Sequence, residues 1–269
     1  MNNRAPAVVV GKCSERSRFL SAIRAAGLGL LWVVAAEPAA VEAQSAGAPS
    51  ITETTFTLPG GEEMPYAISV PDGYDGSPAN ARPLVLALHP GGSSYHYGSW
   101  FMQALVEPAL RDWGAVIVAP DVPGRSWSSP DSETAVLALL RDVASRYAVD
   151  PDRVLVTGFS AGGAGVWYLA TRNPDFFTGA IAIAARPRDD DLEALASFPF
   201  YIIHSPDDEV VSFDAAQEVA RSLTDRGYPV RFRSVPGYSH YSTGSYVGPL
   251  RDGGEWMMER WQIGAATVQ

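Results

Sequence analysis

The chain has 269 residues, of which 46% are hydrophobic, and a formal net charge of −10 at pH 7. This length suits one α/β domain or two small ones, and the apolar content is enough for a sizeable core. The acidic balance argues against nucleic acid as a partner and disfavours polyanionic substrates, because phosphate binding needs positive charge.

The first 43 residues have the pattern of a secretory signal peptide. Five basic residues precede an apolar run over 25–36, and Val41-Glu42-Ala43 offers small residues to a signal peptidase. The apolar run is 12 residues long, whereas a bilayer-spanning helix needs about 20. We therefore expect no stable membrane anchor, a loose tail over 44–50, a single folded domain over 51–269, and a secreted or periplasmic protein.

Cleavage after Ala43 would restrict the available chemistry. Lys12 and Cys13 are the only lysine and the only cysteine, and both lie in the predicted signal peptide. The mature chain would then have no thiol nucleophile, no disulfide, no Schiff-base lysine and no lysine general base. The signal peptide also carries more basic than acidic residues, so its removal makes the net charge more negative.

Beyond residue 51, apolar runs that predict strands alternate with segments of helical spacing. The first two strands, 52–58 and 65–70, flank Pro59-Gly60-Gly61 and should form an antiparallel hairpin. Six more strands are predicted at 83–88, 115–119, 153–157, 179–185, 199–204 and 230–235, and helices at 101–113, 132–147 (with Ser132 as candidate N-cap), 164–170, 213–226 and 255–263. This alternation predicts an α/β protein with a mostly parallel eight-stranded sheet and helices on both faces.

Gly158-Phe159-Ser160-Ala161-Gly162 lies between the strand predicted at 153–157 and the helix that follows it. A serine on such a sharp turn is a nucleophile elbow, whose strained backbone tolerates only small neighbours. The elbow exposes the hydroxyl at a helix N-terminus, where backbone N–H groups favour negative charge. Ser160 is therefore the candidate nucleophile.

The candidate base is a histidine in the last part of the chain. In proteins with this elbow, an acid and then a histidine follow the serine along the chain. Only His204 and His240 follow Ser160. His204 ends a predicted strand, whereas His240 lies in the loop after the last strand and can reach over the sheet. We expect His240 to be the base and His204 to be structural.

Three consecutive carboxylates, Asp207, Asp208 and Glu209, follow the strand predicted at 199–204. Asp208 is favoured as the acid because the apolar pair Val210-Val211 should anchor its loop to the core. Asp207 follows a proline and is suited to stabilising the turn. Asp207 and Glu209 remain alternatives for the acid.

The oxyanion needs two backbone donors. One should be the N–H of Ala161, directly after the nucleophile, and the other should come from the loop His89-Pro90-Gly91-Gly92. Proline has no N–H, so the second donor is Gly91 or Gly92.

Together these motifs resemble the secreted esterase branch of the α/β-hydrolase superfamily, the group of polyhydroxybutyrate depolymerases and feruloyl esterases. The resemblance extends over residues 65–241, and its most specific block is 147–154, a tyrosine followed by V-D-P-x-R-V; the other blocks are 88–92, 158–163, 204–211 and 237–240. It implies an α/β-hydrolase fold and a catalytic domain that cleaves esters through Ser160, Asp208 and His240. The family places its acid four positions after the strand-end histidine, which matches Asp208. Pro90 and Ser205 stand where the family usually has glycine.

The predicted cleft is open, because the segment 186–198 is too short for the lid that larger relatives insert there. An open cleft suits bulky, polymeric or polar esters. Aromatic residues near the strand ends, Tyr95, Trp127 and Tyr238, are candidate substrate contacts, and Trp127 is favoured because polar residues surround it. The acidic run 189–191 is interpreted as a helix start rather than a calcium site.

The sequence thus predicts an exported serine hydrolase that cleaves small-molecule or polymeric carboxylic esters through an acyl-enzyme, without metal or organic cofactor. A polyester depolymerase, a secreted peptidase of the same fold, and an exported binding protein on an inactive scaffold are the alternatives.

Overall fold

The computed structural model describes residues 51–91, 97–188 and 190–267, so the predicted signal peptide and tail lie outside the described residues. The strands are β1 (Ile51–Thr57), β2 (Glu63–Ser69), β3 (Arg82–Leu88), β4 (Val116–Pro120), β5 (Val149–Phe159), β6 (Gly179–Ile183), β7 (Phe200–His204) and β8 (Val230–Ser234). They form one sheet in the order β1-β2-β4-β3-β5-β6-β7-β8. β2 pairs antiparallel with β1 and β4, and all other pairs are parallel. The predicted sheet, opened by a hairpin, is confirmed.

The helices are α1 (Tyr97–Phe101), α2 (Glu107–Leu110), α3 (Pro130–Arg146), α4 (Ala161–Arg172), α5 (Phe213–Asp225) and α6 (Val247–Thr267). The helix predicted over 101–113 is wound unevenly: Met102–Val106 is a π-helix between α1 and α2, and Arg111–Trp113 is a 3-10 turn. Pro108 interrupts a regular ladder here, because it has no N–H to donate. None of the helices in the described ranges is long and apolar enough to cross a membrane.

The core has two halves, one on each face of the sheet, and β3 contributes to both. Leu84, Leu86 and Leu88 point into one half, whereas Val85 and Ala87 point into the other. Side chains of α3, α4 and α5 complete the first half and those of α1, the π-helix, α2 and α6 complete the second, including Leu139, Val166, Leu223, Phe101, Leu105, Leu110 and Met257. A strand covered on both faces has no polar alternation, which explains the continuous apolar run of its sequence.

Four of the five predicted helices begin earlier than expected, at Tyr97, Pro130, Ala161 and Val247. α3 begins at Pro130, and its N-cap is Ser129, whose side chain accepts a hydrogen bond from the backbone N–H of Ser132 at 3.3 Å. Proline at the first helical position favours this start. The predicted cap, Ser132, instead shares its hydroxyl proton between the carbonyls of Pro123 and Ser126, at 2.7 and 2.6 Å.

α6 begins at Val247, earlier than the predicted 255, and passes through Gly253 and Gly254. These glycines lie against the neighbouring elements, since a Cβ on Gly254 would come within 2.8 Å of Leu110 and Trp113. The glycine pair, which breaks the helical pattern in the sequence, therefore serves close packing.

The connection between β6 and β7 contains, in its described part, a single 3-10 turn, Leu192–Leu195, and no inserted domain. Asp191 caps this turn by accepting a hydrogen bond from the backbone N–H of Glu193 at 3.1 Å. The acidic run thus begins a helical turn, as expected, although Asp189 itself lies outside the described residues.

Candidate active site

Ser160 occupies the turn between β5 and α4 and has a strained backbone. Its φ of 53° and ψ of −113° lie in a region that non-glycine residues rarely adopt. A strain of this kind costs about 1–3 kcal/mol and persists only where the surrounding structure enforces it. The backbone N–H of Ser160 donates to the carbonyl of Ile183 at 2.9 Å, which fixes the turn against β6.

The glycines on either side of Ser160 are required because backbones approach closely there. A Cβ on Gly158 would lie 2.6 Å from the backbone of Gly162, and a Cβ on Gly162 would lie 1.9 Å from the carbonyl oxygen of Leu88. No side chain fits at such distances. The small residues expected around the elbow thus let α4 start directly above the ends of β3 and β5.

His240 reaches Ser160 from the loop between β8 and α6. Its Nε2 lies 2.8 Å from Ser160 Oγ. The imidazole is 7% exposed and packs against the ring of Phe159 at a centroid distance of 5.4 Å. At this distance the serine hydroxyl can donate its proton to Nε2.

Asp208 is the carboxylate that meets the imidazole. Its Oδ2 lies 2.8 Å from His240 Nδ1, and its Oδ1 accepts the backbone N–H groups of Val210 and Val211 at 2.9 and 2.7 Å. The carboxylate side chain is fully buried. Because Nδ1–H donates to the carboxylate, Nε2 remains an acceptor for the serine proton.

Asp207 and Glu209 point to other atoms of the loop that carries His240. Asp207 Oδ2 accepts the backbone N–H of Gly237 at 2.6 Å. The carboxylate of Glu209 accepts the hydroxyl of Ser239 at 2.6 Å and the backbone N–H of His240 at 3.0 Å. Of the three consecutive acids, Asp208 alone is hydrogen-bonded to the imidazole.

His204 lies behind Asp208 and is fully buried. Its Nε2 is 3.1 Å from the carbonyl of Val211 and 3.4 Å from Asp208 Oδ2. Burial lowers the pKa of His204, so the imidazole is neutral and donates Nε2–H towards these acceptors. His204 thereby links the end of β7 to the loop of Asp208.

The predicted oxyanion donors lie on neighbouring segments. Ala161 is the first residue of α4, so its backbone N–H has no acceptor within the helix. A Cβ on Gly91 would lie 3.7 Å from the Cβ of Ala161, which puts the two backbones side by side. Gly92, the other candidate donor, lies outside the described residues.

His89 holds the loop that leads to Gly91. Its Nε2 accepts the backbone N–H of Val122 at 3.1 Å, so Nδ1 carries the proton and donates to the carbonyl of Pro90 at 2.6 Å. Burial lowers the pKa of His89 and favours this neutral form. The imidazole thus orients the Pro90–Gly91 peptide.

Trp127 does not line an open cleft, in contrast to the prediction. It is 3% exposed, its Nε1–H donates to the carbonyl of His89 at 3.0 Å, and its side chain lies directly over Gly165 of α4. The surrounding serines had suggested exposure, but Ser126 and Ser129 form hydrogen bonds within the turn that precedes α3. Trp127 therefore packs under the loop that leads to Gly91, the predicted oxyanion loop, and binds it through His89.

Of the other predicted substrate contacts, Tyr238 is half-buried, with its ring 5.2 Å from that of Tyr246, and Tyr95 lies outside the described residues. Two aromatic residues that the prediction did not select are more exposed. Tyr241 is 77% exposed next to His240, with a ring distance of 5.8 Å, and Trp100 is 43% exposed and stacks on Tyr97. The position of Tyr241, directly after His240 in the sequence, is the signal that marks it as a candidate substrate contact.

Comparisons with known proteins identify the family of the chain. Residues 83–240 match the family model described as alpha/beta hydrolase fold. The chain is 30% identical over 139 residues to poly(3-hydroxybutyrate) depolymerase of Ralstonia pickettii, an alignment that covers 41% of this chain and 26% of the relative, so the chain spans a minor part of that relative's length.

Solved structures show the same fold. A thermostable esterase is 25% identical, with a TM-score of 0.63 over 78% of this chain and 62% of that protein. A ferulic acid esterase is 18% identical, with a TM-score of 0.61 over 77% of this chain and 96% of that protein. The resemblance to esterases that the motifs had suggested is thereby confirmed.

Proposed function

The chain belongs to the α/β-hydrolase fold family, and on that premise we propose that it hydrolyses carboxylic esters with Ser160 as nucleophile, His240 as base and Asp208 as acid. The observation that carries the proposal is the continuous chain of contacts from Ser160 Oγ to His240 Nε2, 2.8 Å, and from His240 Nδ1 to Asp208 Oδ2, 2.8 Å. These three residues come from the connections that follow β5, β7 and β8, and their polar atoms meet in the order that acyl transfer requires.

In the proposed mechanism, Ser160 Oγ attacks the ester carbonyl while its proton passes to His240 Nε2. Asp208 keeps the other imidazole proton on Nδ1 and stabilises the imidazolium, without taking the proton itself. The N–H groups of Ala161 and of Gly91 or Gly92 bind the oxyanion. His240 then protonates the leaving alcohol, and water releases the acyl group by the same route.

Replacement of the nucleophile tests this mechanism. We expect Ser160→Ala to lower turnover of p-nitrophenyl acetate by several orders of magnitude and to abolish labelling by a fluorophosphonate probe. Ser145→Ala is the matched control, because that exposed serine only donates to the carbonyl of Asp142 within α3. Labelling or turnover that survives in Ser160→Ala would reject the nucleophile, and a wild-type protein inert to both reagents would favour a binding protein on an inactive scaffold.

The proposed substrates are esters with bulky or extended groups. The described part of the connection between β6 and β7 has only a short turn, which leaves the strand ends around Ser160 uncapped from that side. The similarity to poly(3-hydroxybutyrate) depolymerase makes a polyester the polymer to test, by clearing of a polymer film. A matched pair of ester and anilide substrates separates an esterase from a peptidase, because an amine leaving group needs stronger protonation.

We also propose that the protein is exported and that its mature form is one catalytic domain starting near Gln44. The support is the basic segment followed by the 25–36 apolar run and the small residues up to Ala43. Expression in a bacterial host with an intact secretion pathway, followed by intact-mass analysis of the exported protein, should give a chain that lacks residues 1–43. The proposal would be contradicted if the exported protein retained Met1, or if the protein stayed in the cytoplasm.

A further inference from the structure

The loop that carries the base is attached to the acid loop by more than the Asp208–His240 pair. Glu209 accepts two hydrogen bonds from that loop, from the hydroxyl of Ser239 at 2.6 Å and from the backbone N–H of His240 at 3.0 Å. Asp207 accepts a third, from the backbone N–H of Gly237 at 2.6 Å. Asp207 and Glu209, on both sides of Asp208, therefore fix the loop that carries His240 by hydrogen bonds.

We infer that Glu209 is a positioning residue for the base, an inference that rests on the proposed function. The backbone of His240 lies in a loop between β8 and the 3-10 turn Thr243–Tyr246, outside any strand or helix. Within the described residues, Glu209 is the acceptor for the backbone N–H of His240. The carboxylate therefore fixes the position of the backbone from which the imidazole extends. Asp207 secures the beginning of the same loop at Gly237.

Through Ser239, Glu209 also stabilises the residues before and after His240. The Ser239 hydroxyl donates to Glu209 and accepts the backbone N–H of Tyr241 at 3.2 Å. One carboxylate thereby orders residues 239, 240 and 241 together. Since a nucleophile and its base must stay within hydrogen-bond reach, a small displacement of this segment lowers the rate without removing any reacting group.

Glu209 also contributes charge. The hydroxyl of Ser239 and then the backbone N–H of His240 lower the pKa of Glu209, so its carboxylate is anionic at neutral pH, and the charge of His240 acts in the same direction. The anion also attracts the positive charge that His240 carries once Ser160 has given up its proton. Glu209 uses Oε1 for Ser239 and Oε2 for His240, so glutamine loses the charge and one acceptor oxygen but can still accept the N–H of His240 with the other.

The test compares Glu209→Ala, Glu209→Gln, Ser239→Ala and the double variant Glu209→Ala/Ser239→Ala on p-nitrophenyl acetate. We expect Glu209→Ala to lower kcat by about 10- to 100-fold with KM changed less than about twofold. Glu209→Gln should recover part of that loss, because its one remaining oxygen can still accept the N–H of His240. The double variant should lose no more than Glu209→Ala, because both changes break one network.

Glu259→Gln is the control for loss of one exposed carboxylate. Glu259 is an exposed residue of α6, two positions before Trp261. Trp261 Nε1–H donates to the carbonyl of Thr178 at 3.1 Å, just before β6, so this part of α6 lies near the N-terminal ends of the parallel strands, whereas Ser160 lies at their C-terminal ends. Glu259→Gln should leave both kcat and KM unchanged. A wild-type kcat in Glu209→Ala, or additive losses in the double variant, would overturn the inference.

A measurement without catalysis distinguishes failure of this inference from failure of the proposed function. In Glu209→Ala, amide hydrogen exchange at His240 should accelerate by at least about tenfold, because its N–H loses its acceptor. If wild-type protein hydrolyses no ester and binds no fluorophosphonate, the proposed function fails whatever the exchange rate. Unchanged exchange in an active Glu209→Ala variant would reject the positioning role alone. If the alanine variant does not fold, exchange at Tyr241 in Ser239→Ala supplies a second comparison, because that N–H also loses its acceptor.

Discussion

At the scale of single residues, the candidate site depends on two glycines, at positions where a larger side chain would collide with the backbone. Ser160 keeps its strained backbone because Gly158 and Gly162 let the end of β3, the end of β5 and the start of α4 come together. The Cβ–oxygen distance of 1.9 Å that an alanine at 162 would create is far below van der Waals contact. The sequence predicts small residues at these positions from the turn alone, and the structure identifies the partner, the carbonyl of Leu88.

We therefore expect Gly162→Ala to destabilise the fold by about 3 kcal/mol or more, since backbone atoms cannot move aside as a flexible side chain could. Gly248→Ala is the matched control. Gly248 also lies in the first turn of a helix, but nothing lies within 4 Å of its Cβ position, so alanine should stabilise by about 0.5–1 kcal/mol. Chemical denaturation of both variants measures the difference. A Gly162→Ala protein as stable as wild type, with an unchanged rate of fluorophosphonate labelling, would contradict the close approach.

The carboxylates illustrate how far residue-level reasoning from the sequence extends. The sequence narrows the acid to three consecutive residues after β7 and favours Asp208 because Val210-Val211 should anchor its loop to the core. Asp208 does contact the imidazole, but that reason is wrong: Val210 is 52% exposed, and Val210 and Val211 instead donate their backbone N–H groups to Asp208 Oδ1. The contacts of Asp207 and Glu209 could not be predicted, because they join residues about 30 positions apart. Such pairings depend on the path of two loops, which no local pattern encodes.

At the scale of elements, strands were predicted more accurately than helix ends. Buried parallel strands such as β3, β6 and β7 are continuous apolar runs, so their positions follow from hydrophobicity alone. Helix ends depend on tertiary contacts. α6 continues through Gly253 and Gly254, where the sequence pattern predicts a break. These positions are glycine because Tyr201 and Leu110 occupy the space that larger side chains would need.

Trp127 shows the same limit within a loop. Its polar neighbours predicted exposure, but the indole is covered by α4 and bonded to the carbonyl of His89. Local composition describes the turn, in which Ser126 and Ser129 bond to each other, and does not reveal what lies above the ring. The predicted oxyanion loop is thus bonded to a tryptophan that lies 38 residues later in the chain.

At the scale of the whole molecule, the two buried histidines outside the proposed triad couple the fold to pH. His89 and His204 are 1% and 0% exposed, and burial lowers the pKa of each below its ordinary 6.5. His89 accepts the backbone N–H of Val122, an interaction that a protonated ring cannot make. Both histidines hold loops against the ends of central strands, so their protonation opposes the folded state as a whole.

The sign of this effect follows from proton linkage. Because the folded pKa values are depressed, the unfolded chain binds more protons once the pH falls below about 6.5, and protons then favour unfolding. The stabilisation from the neutral histidines is complete above that pH and is lost as the pH falls through the folded values. The free energy of unfolding should therefore decrease between about pH 7.5 and pH 5.5, with each histidine contributing up to about 1.4 kcal/mol per pH unit.

Guanidinium unfolding at a series of pH values measures this slope, and His204→Gln separates one contribution, because glutamine does not titrate and can still donate to the carbonyl of Val211. The variant should show a smaller slope than wild type by up to one proton, even if its stability at pH 7.5 is lower. The carboxylates contribute little above pH 5.5, because their ordinary pKa values lie near 4. If the free energy of unfolding of the wild type does not change across this range, or if His204→Gln leaves its slope unchanged, then the neutral form of these imidazoles does not stabilise the fold.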